Sequence, residues 1–218
     1  MRIAMVVLVM IVAMADWRFA MAAGDKREDR SAPTESMSEL ASIDGYRSAK
    51  FGMVEKDVRG AIKKDFGIDA PRLEANEIQK TQALVTTVKD LLPGAPPALV
   101  SYIFGMSSGK LIQVNLVWGG EPGGVDLRNL LPAANALRDY FLQRTYDTQS
   151  LAINQQLSNG VVLFFRGADA RGREIRLELL PLARKGDSKE AAAFGALKLS
   201  YAENPKNPDI YKIKEGAF

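Results

Sequence analysis

The sequence predicts an α+β protein: an antiparallel sheet with helices packed on one face. Two stretches, 54–66 and 125–146, repeat apolar residues at spacings of three and four, the period of a helix with one buried side. Two other regions place β-branched and aromatic runs on either side of a short turn, at Gly105–Gly109 and at Asp169–Gly172. Tight turns can join only antiparallel strands, which excludes a parallel doubly wound sheet.

The chain opens with Arg2 and an unbroken small and apolar run from Ile3 to Ala15, and it reaches the small residues Ala20-Met21-Ala22-Ala23 before charge resumes. A basic start, a short apolar core and a small-residue site have the form of a secretory signal peptide. The run is shorter than the roughly 20 residues of a spanning helix. Residues 1–23 are therefore expected to direct export to the periplasm, with cleavage near Ala22 or Ala23, although Asp16 and Arg18 place charge where such peptides are usually only weakly polar. Residues 24–44 are polar and read as a flexible leader, because they hold too little apolar surface to offset the entropy of ordering. Residues 45–218 form the expected single domain.

Within it, "GYRSAKFGM" leads into "VEKDVRGAIKKDF". Val54, Val58, Ile62 and Phe66 recur every fourth residue, acids stand in the first turn and bases in the last, and Gly67 supplies a stop. "LVTTV" at 84–88 reads as strand and is ended by "PGAPP". In the arm after Gly109, Ile112, Val114, Leu116 and Trp118 alternate with Leu111, Gln113, Asn115 and Val117, so one face should be buried. The helix of 125–146 presents Leu127, Leu130, Leu131, Ala134, Leu137, Tyr140 and Phe141, with Pro132 as a kink or a restart. A second hairpin turns around Asp169, and "FGALKLSYA" is a last strand. The proline-broken tail is expected to be irregular, with Ile210 and Tyr211 packing back. "SGKLIQVNLVW" and "RGREIRLELLP" share a pattern, which admits a reading as two tandem helix-plus-hairpin units, 45–120 and 121–203.

Composition removes much chemistry. The chain has no histidine and no cysteine, so Ser-His-Asp and Cys-His mechanisms, His- or Cys-ligated metals, disulfides and a lipidated N-terminal Cys are all excluded. About 195 residues beyond the export segment can bury a core without disulfide staples. The net charge of +3 becomes +2 without residues 1–23, a balance that calls neither for nucleic acid nor for an anionic membrane.

The side-chain clusters read as structure. Glu174, Arg176 and Glu178 share a strand face as a solvated charge ladder. Asp126 with Arg128 and Arg138 with Asp139 are helix-surface charge, and Asp169 among three arginines makes a poor calcium site and a good turn. Tyr102, Phe104, Trp118, Phe164 and Phe165 are core and rim aromatics. No catalytic, cofactor-binding or metal-binding residue is assigned, and no cofactor is expected.

Gly52-Met53 followed by Asp57-Val58 resembles the Gly-Met helix start of outer-membrane assembly lipoproteins of the BamE/SmpA type, whose fold is similar to the α/β units of β-lactamase-inhibitor proteins. The wider pattern is similar to exported Gram-negative proteins of unassigned function. Val54 replaces the family's capping hydroxyl and no lipobox cysteine is present, so the resemblance implies the fold start and the compartment and not the assembly function. Together these features lean away from catalysis. They point to a soluble periplasmic protein that binds a protein partner of the envelope through its sheet face or hairpin loops, with no membrane span after cleavage. The alternatives are a carboxylate-dependent hydrolase of envelope glycan, which needs two acids lining a cleft, and a small-molecule carrier, which needs an apolar pocket between helices and sheet.

Overall fold

A computed structural model describes residues 41–119, 125–158, 160–181, 194–213 and 216. Its elements follow from local sequence. Strands β1 (Gly45–Tyr46) and β2 (Ala49–Lys50) form a small hairpin, and α1 (Glu55–Phe66) begins at Val54 with no side-chain cap. The missing cap is offset in kind by Glu55 and Asp57 in the first turn and Lys63 and Lys64 in the last, which oppose the helix dipole. Gly67 ends the helix in the left-handed region, φ 68°, where its N–H donates to the Lys63 carbonyl. The Gly-Met stretch before α1 is pinned to the start of a distant strand: Gly52 N–H donates to the Leu111 carbonyl and Leu111 N–H to the Met53 carbonyl.

Next come β3 (Arg72–Asn76), β4 (Thr81–Val88), β5 (Ala98–Phe104) and β6 (Leu111–Trp118), each antiparallel to the one before. A short β7 (Val125–Asp126) leads into α2 (Leu127–Phe141), where the Asp126 carboxylate accepts from Arg128 N–H as an N-cap. Pro132 lies inside one unbroken helix rather than at a restart. Then β8 (Ala152–Gln156), β9 (Val162–Ala168), β10 (Glu174–Pro181) and β11 (Phe194–Ala202) complete the chain's strands. The sheet order is β3-β4-β5-β6-β11-β10-β9-β8, with β7 attached to β11. Two four-stranded meanders, each preceded by a helix, thus meet where β6 pairs antiparallel with β11. The two segments with a shared pattern, 108–118 and 171–181, fall on β6 and β10, the fourth strand of one meander and the third of the other; β11 holds the position that corresponds to β6.

One face of the sheet is apolar. Val100, Tyr102, Leu116, Trp118, Leu197, Leu199 and Leu177 are buried together with Val58 and Ile62 of α1 and Leu130, Ala134 and Phe141 of α2 in a single cluster. The alternation in β6 departs from its simple reading at one end. A β-bulge opposite Ile103–Phe104 sets Leu111 in the core and leaves Ile112 half-buried, because one extra residue reverses the parity of side chains beyond it. In α2, Leu131 and Tyr140 are exposed, so the buried stripe is narrower than its spacing suggests. The start of the fold also reaches back into the segment read as leader: Ile43 is buried in the core and Ala41 N–H donates to the Thr145 carbonyl. Residues 1–40, with the export segment, lie outside the described residues.

Gly45 adopts φ 139°, and a Cβ there would collide with the Ala49 carbonyl across the β1–β2 hairpin. Gly52, at φ 84°, has open space around its missing Cβ. Urea unfolding should therefore show Gly45→Ala losing about 2–3 kcal/mol, from strain and clash together, and Gly52→Ala about 1 kcal/mol, from strain alone. Equal losses would contradict the clash.

Candidate functional site

Strand pleating puts Glu174, Arg176 and Glu178 of β10, Lys198 and Ser200 of β11 and Gln113 of β6 on the face opposite Leu177, Leu199 and Leu116. There they floor an open basin of about 800 Å³. Glu178 sits directly across from Lys198 and lies 3.2 Å from Arg176 Nε, with only 12% of its side chain exposed. Burial pushes the Glu174 carboxyl above its usual range, against the pull of Arg176 and Arg166. The residues read as a solvated ladder share one face as expected, but they are half-buried on the floor of the basin rather than fully in water.

Two anchors build the rim. On one side the C-terminal tail lies across the β5–β6 turn. The Asp209 carboxylate accepts from the Ser107 and Ser108 N–H groups at 3.1 and 2.9 Å, while Met106 N–H donates to the Asp209 carbonyl. These bonds, led by the Ser108 hydroxyl, hold the Asp209 carboxyl below the usual carboxylate range. Further along, Tyr211 N–H donates to the Gln79 carbonyl, with the Tyr211 side chain exposed and Ile210 half-buried.

On the other side stands the β9–β10 turn. Asp169 is only 5% exposed and accepts from three backbone N–H groups, Ile43, Arg171 and Arg173, and from the Arg171 guanidinium. Burial alone would raise its carboxyl, but those donors outweigh burial and hold it below its usual range. Arg171 and Arg173 each reach Asp44 at 2.7 Å, and Arg173 lies over the Phe51 ring. Asp169 is thus the turn residue that its neighbours suggested, and also a tie between the turn and the beginning of the fold, which no local pattern signals.

The other residues singled out in the sequence do not join the basin. Asp126–Arg128 and Arg138–Asp139 are surface ion pairs at the two ends of α2. Tyr102, Phe104, Trp118, Phe164 and Phe165 are all buried, so they are core and not a platform. Burial pushes the Tyr102 and Tyr201 hydroxyls well up, so both stay protonated near neutral pH and neither serves as a phenolate base. No cluster of three or more Asp or Glu suited to a metal occurs among the described residues. Glu174 and Glu178 stand four residues apart on one strand, about 13 Å along the backbone, with Arg176 between them. The basin is built to hold charge by ion pairs and hydrogen bonds.

These features define an antiparallel α+β protein with a charged basin on one sheet face. No family model matches the chain, and no curated protein or solved structure resembles it significantly.

The Asp169 tie makes stability acid-sensitive. A carboxyl held low in the folded state stabilises above its unfolded pKa of about 3.9, and the contribution is lost as pH falls through the folded value. Unfolding free energy should be level above about pH 5 and fall below pH 4, with a shallower fall in Asp169→Asn. That variant should lose about 2–4 kcal/mol at pH 7, because its amide cannot accept all of these bonds. A Cβ on Gly105 would collide with the Asp209 carboxylate. Gly105→Ala should accordingly free the tail, read as faster proteolytic cleavage within 203–213 with the rest of the chain intact.

Proposed function

We propose that the protein is an exported, periplasmic binding protein that contacts a protein partner of the envelope through the basin face of its sheet. The observation that carries this reading is the set of half-buried charges of both signs, Glu174, Arg176, Glu178 and Lys198, enclosed by a rim that is bonded into place before any partner arrives. A partner group entering the basin meets charges already shielded from water, where each contact is worth more than on open surface. With both helices taken to cover the opposite face, the basin face is the one free for a large partner. The apolar run of residues 3–15 and the small residues after it support export, and no helix of the described residues is long and apolar enough to cross a membrane. The absence of histidine and cysteine favours binding over catalysis.

The test compares wild-type protein with the double variant Arg176→Glu/Lys198→Glu in pull-downs from periplasmic and membrane extracts, at low and high salt. The expected result is a defined protein recovered by the wild type, weakened by salt and reduced at least about tenfold by the variant. Recovery of nothing above background would reject the partner. Equal recovery by the variant would reject the basin as its seat.

A further inference from the structure

The apolar face of the sheet holds a second concavity, independent of the basin. It lies over the β6–β11 seam, between the β1–β2 hairpin and the C-terminal part of α2, and has a volume of about 410 Å³. That volume falls within the roughly 300–1,000 Å³ of small-molecule sites. Leu92, Leu116, Leu137, Leu199 and the rings of Phe141 and Tyr201 give it an apolar wall. Two features are not explained by core packing.

First, its charges are of one sign. Arg47 and Arg144 line it, and among the described residues no aspartate or glutamate does. Neither arginine takes part in an ion pair among the described residues. Both are exposed, so they stand at the mouth. Arg47 is held there by the rings of Phe66 and Tyr46, 4.8 and 5.7 Å from its guanidinium carbon. Asp44, on the same segment, is engaged by Arg171 and Arg173.

Second, Trp118 lines the same pocket, is 1% exposed, and its Nε1–H has no hydrogen-bond partner. Buried indole N–H groups usually find an acceptor, and an unpaired buried donor costs about 1–3 kcal/mol.

We propose that this pocket binds a monomeric amphipathic carboxylic acid. The apolar body lies among Leu116, Leu137 and Leu199, against the Trp118 ring, and the carboxylate meets Arg47 and Arg144 at the mouth. Charge selects the head group, since a cationic amphiphile would face two guanidinium groups and no carboxylate. No bond is made or broken, and the ligand is carried. The proposal does not rest on the basin or on a protein partner.

The test uses the full chain with Trp17→Phe, which leaves Trp118 as the only tryptophan. Its emission is followed during titration with saturated ω-hydroxy acids of about eight to fourteen carbons, with the unsubstituted acids, and with the corresponding neutral diols. The expected result is saturable binding of at least one ω-hydroxy acid, with the matched diol at least about tenfold weaker. Arg47→Ala/Arg144→Ala, changed only at exposed positions, should remove that preference while leaving diol binding as it was. The proposal is overturned if no acid perturbs Trp118, if diols bind as tightly as acids, or if the double-arginine variant keeps the wild-type preference.

Discussion

The pairing of β6 with β11 is the constraint on which the rest of the structure depends. It sets Leu116 beside Leu199 and Trp118 beside Leu197 on one face, and Asn115 beside Ser200 and Val117 beside Lys198 on the other. Either meander alone would end in an open edge with unpaired backbone groups. Joined, they form one sheet in which β6 and β11 are each flanked on both sides, and whose exposed edges fall on β3 and β8. Those edge strands are five residues each and carry mostly exposed side chains, Arg72 and Glu74 in one and Gln155 and Gln156 in the other. Short polar edges blunt the tendency of a sheet to recruit another.

Because pleating alternates side chains strictly, the same seam generates two different surfaces. Residues of the apolar side share one buried cluster with residues of both helices, and a pocket lined by residues of the β1–β2 hairpin and α2 includes Trp118 in its wall. The polar side collects the charges of β10 and β11. Register therefore matters doubly: a slip of one residue between β6 and β11 would send Lys198 toward the core and Leu199 toward the basin.

The locally coded parts of this arrangement were legible in sequence. Helix α1, the β5–β6 and β9–β10 hairpins and the last strand rest on periodicity, turn residues and a glycine stop that act within a dozen positions. Strands β3 and β8 escaped because "RLEAN" and "AINQQ" have no buried face and hence no alternation to read. The bulge at Ile112 escaped because an extra residue leaves composition unchanged while reversing which side chain is inside. The basin was half legible. The shared face of Glu174, Arg176 and Glu178 follows from a period of two, but their withdrawal from water depends on a tail about thirty residues further on and on a seam between strands about eighty residues apart.

Both ends of the described fold are spent on the same end of the sheet. Residues 42–44 are fastened to the β9–β10 turn through Asp169, Arg171 and Arg173, and residues 209–211 to the β5–β6 turn and the β3–β4 connection. Gly52 and Met53 are laced to Leu111 at that end as well. A turn is ordinarily the most mobile part of a hairpin, and each of these would fray if its polar groups faced only water. Here Asp169 and Asp209 take up backbone N–H groups of both turns, so the segments that border the basin are ordered by bonds made on folding. A surface whose ordering entropy has already been met on folding binds with less loss than one that must be arranged by its ligand. The Gly-Met stretch thus does more than launch a helix: it belongs to the lacing that keeps one edge of the charged face in place.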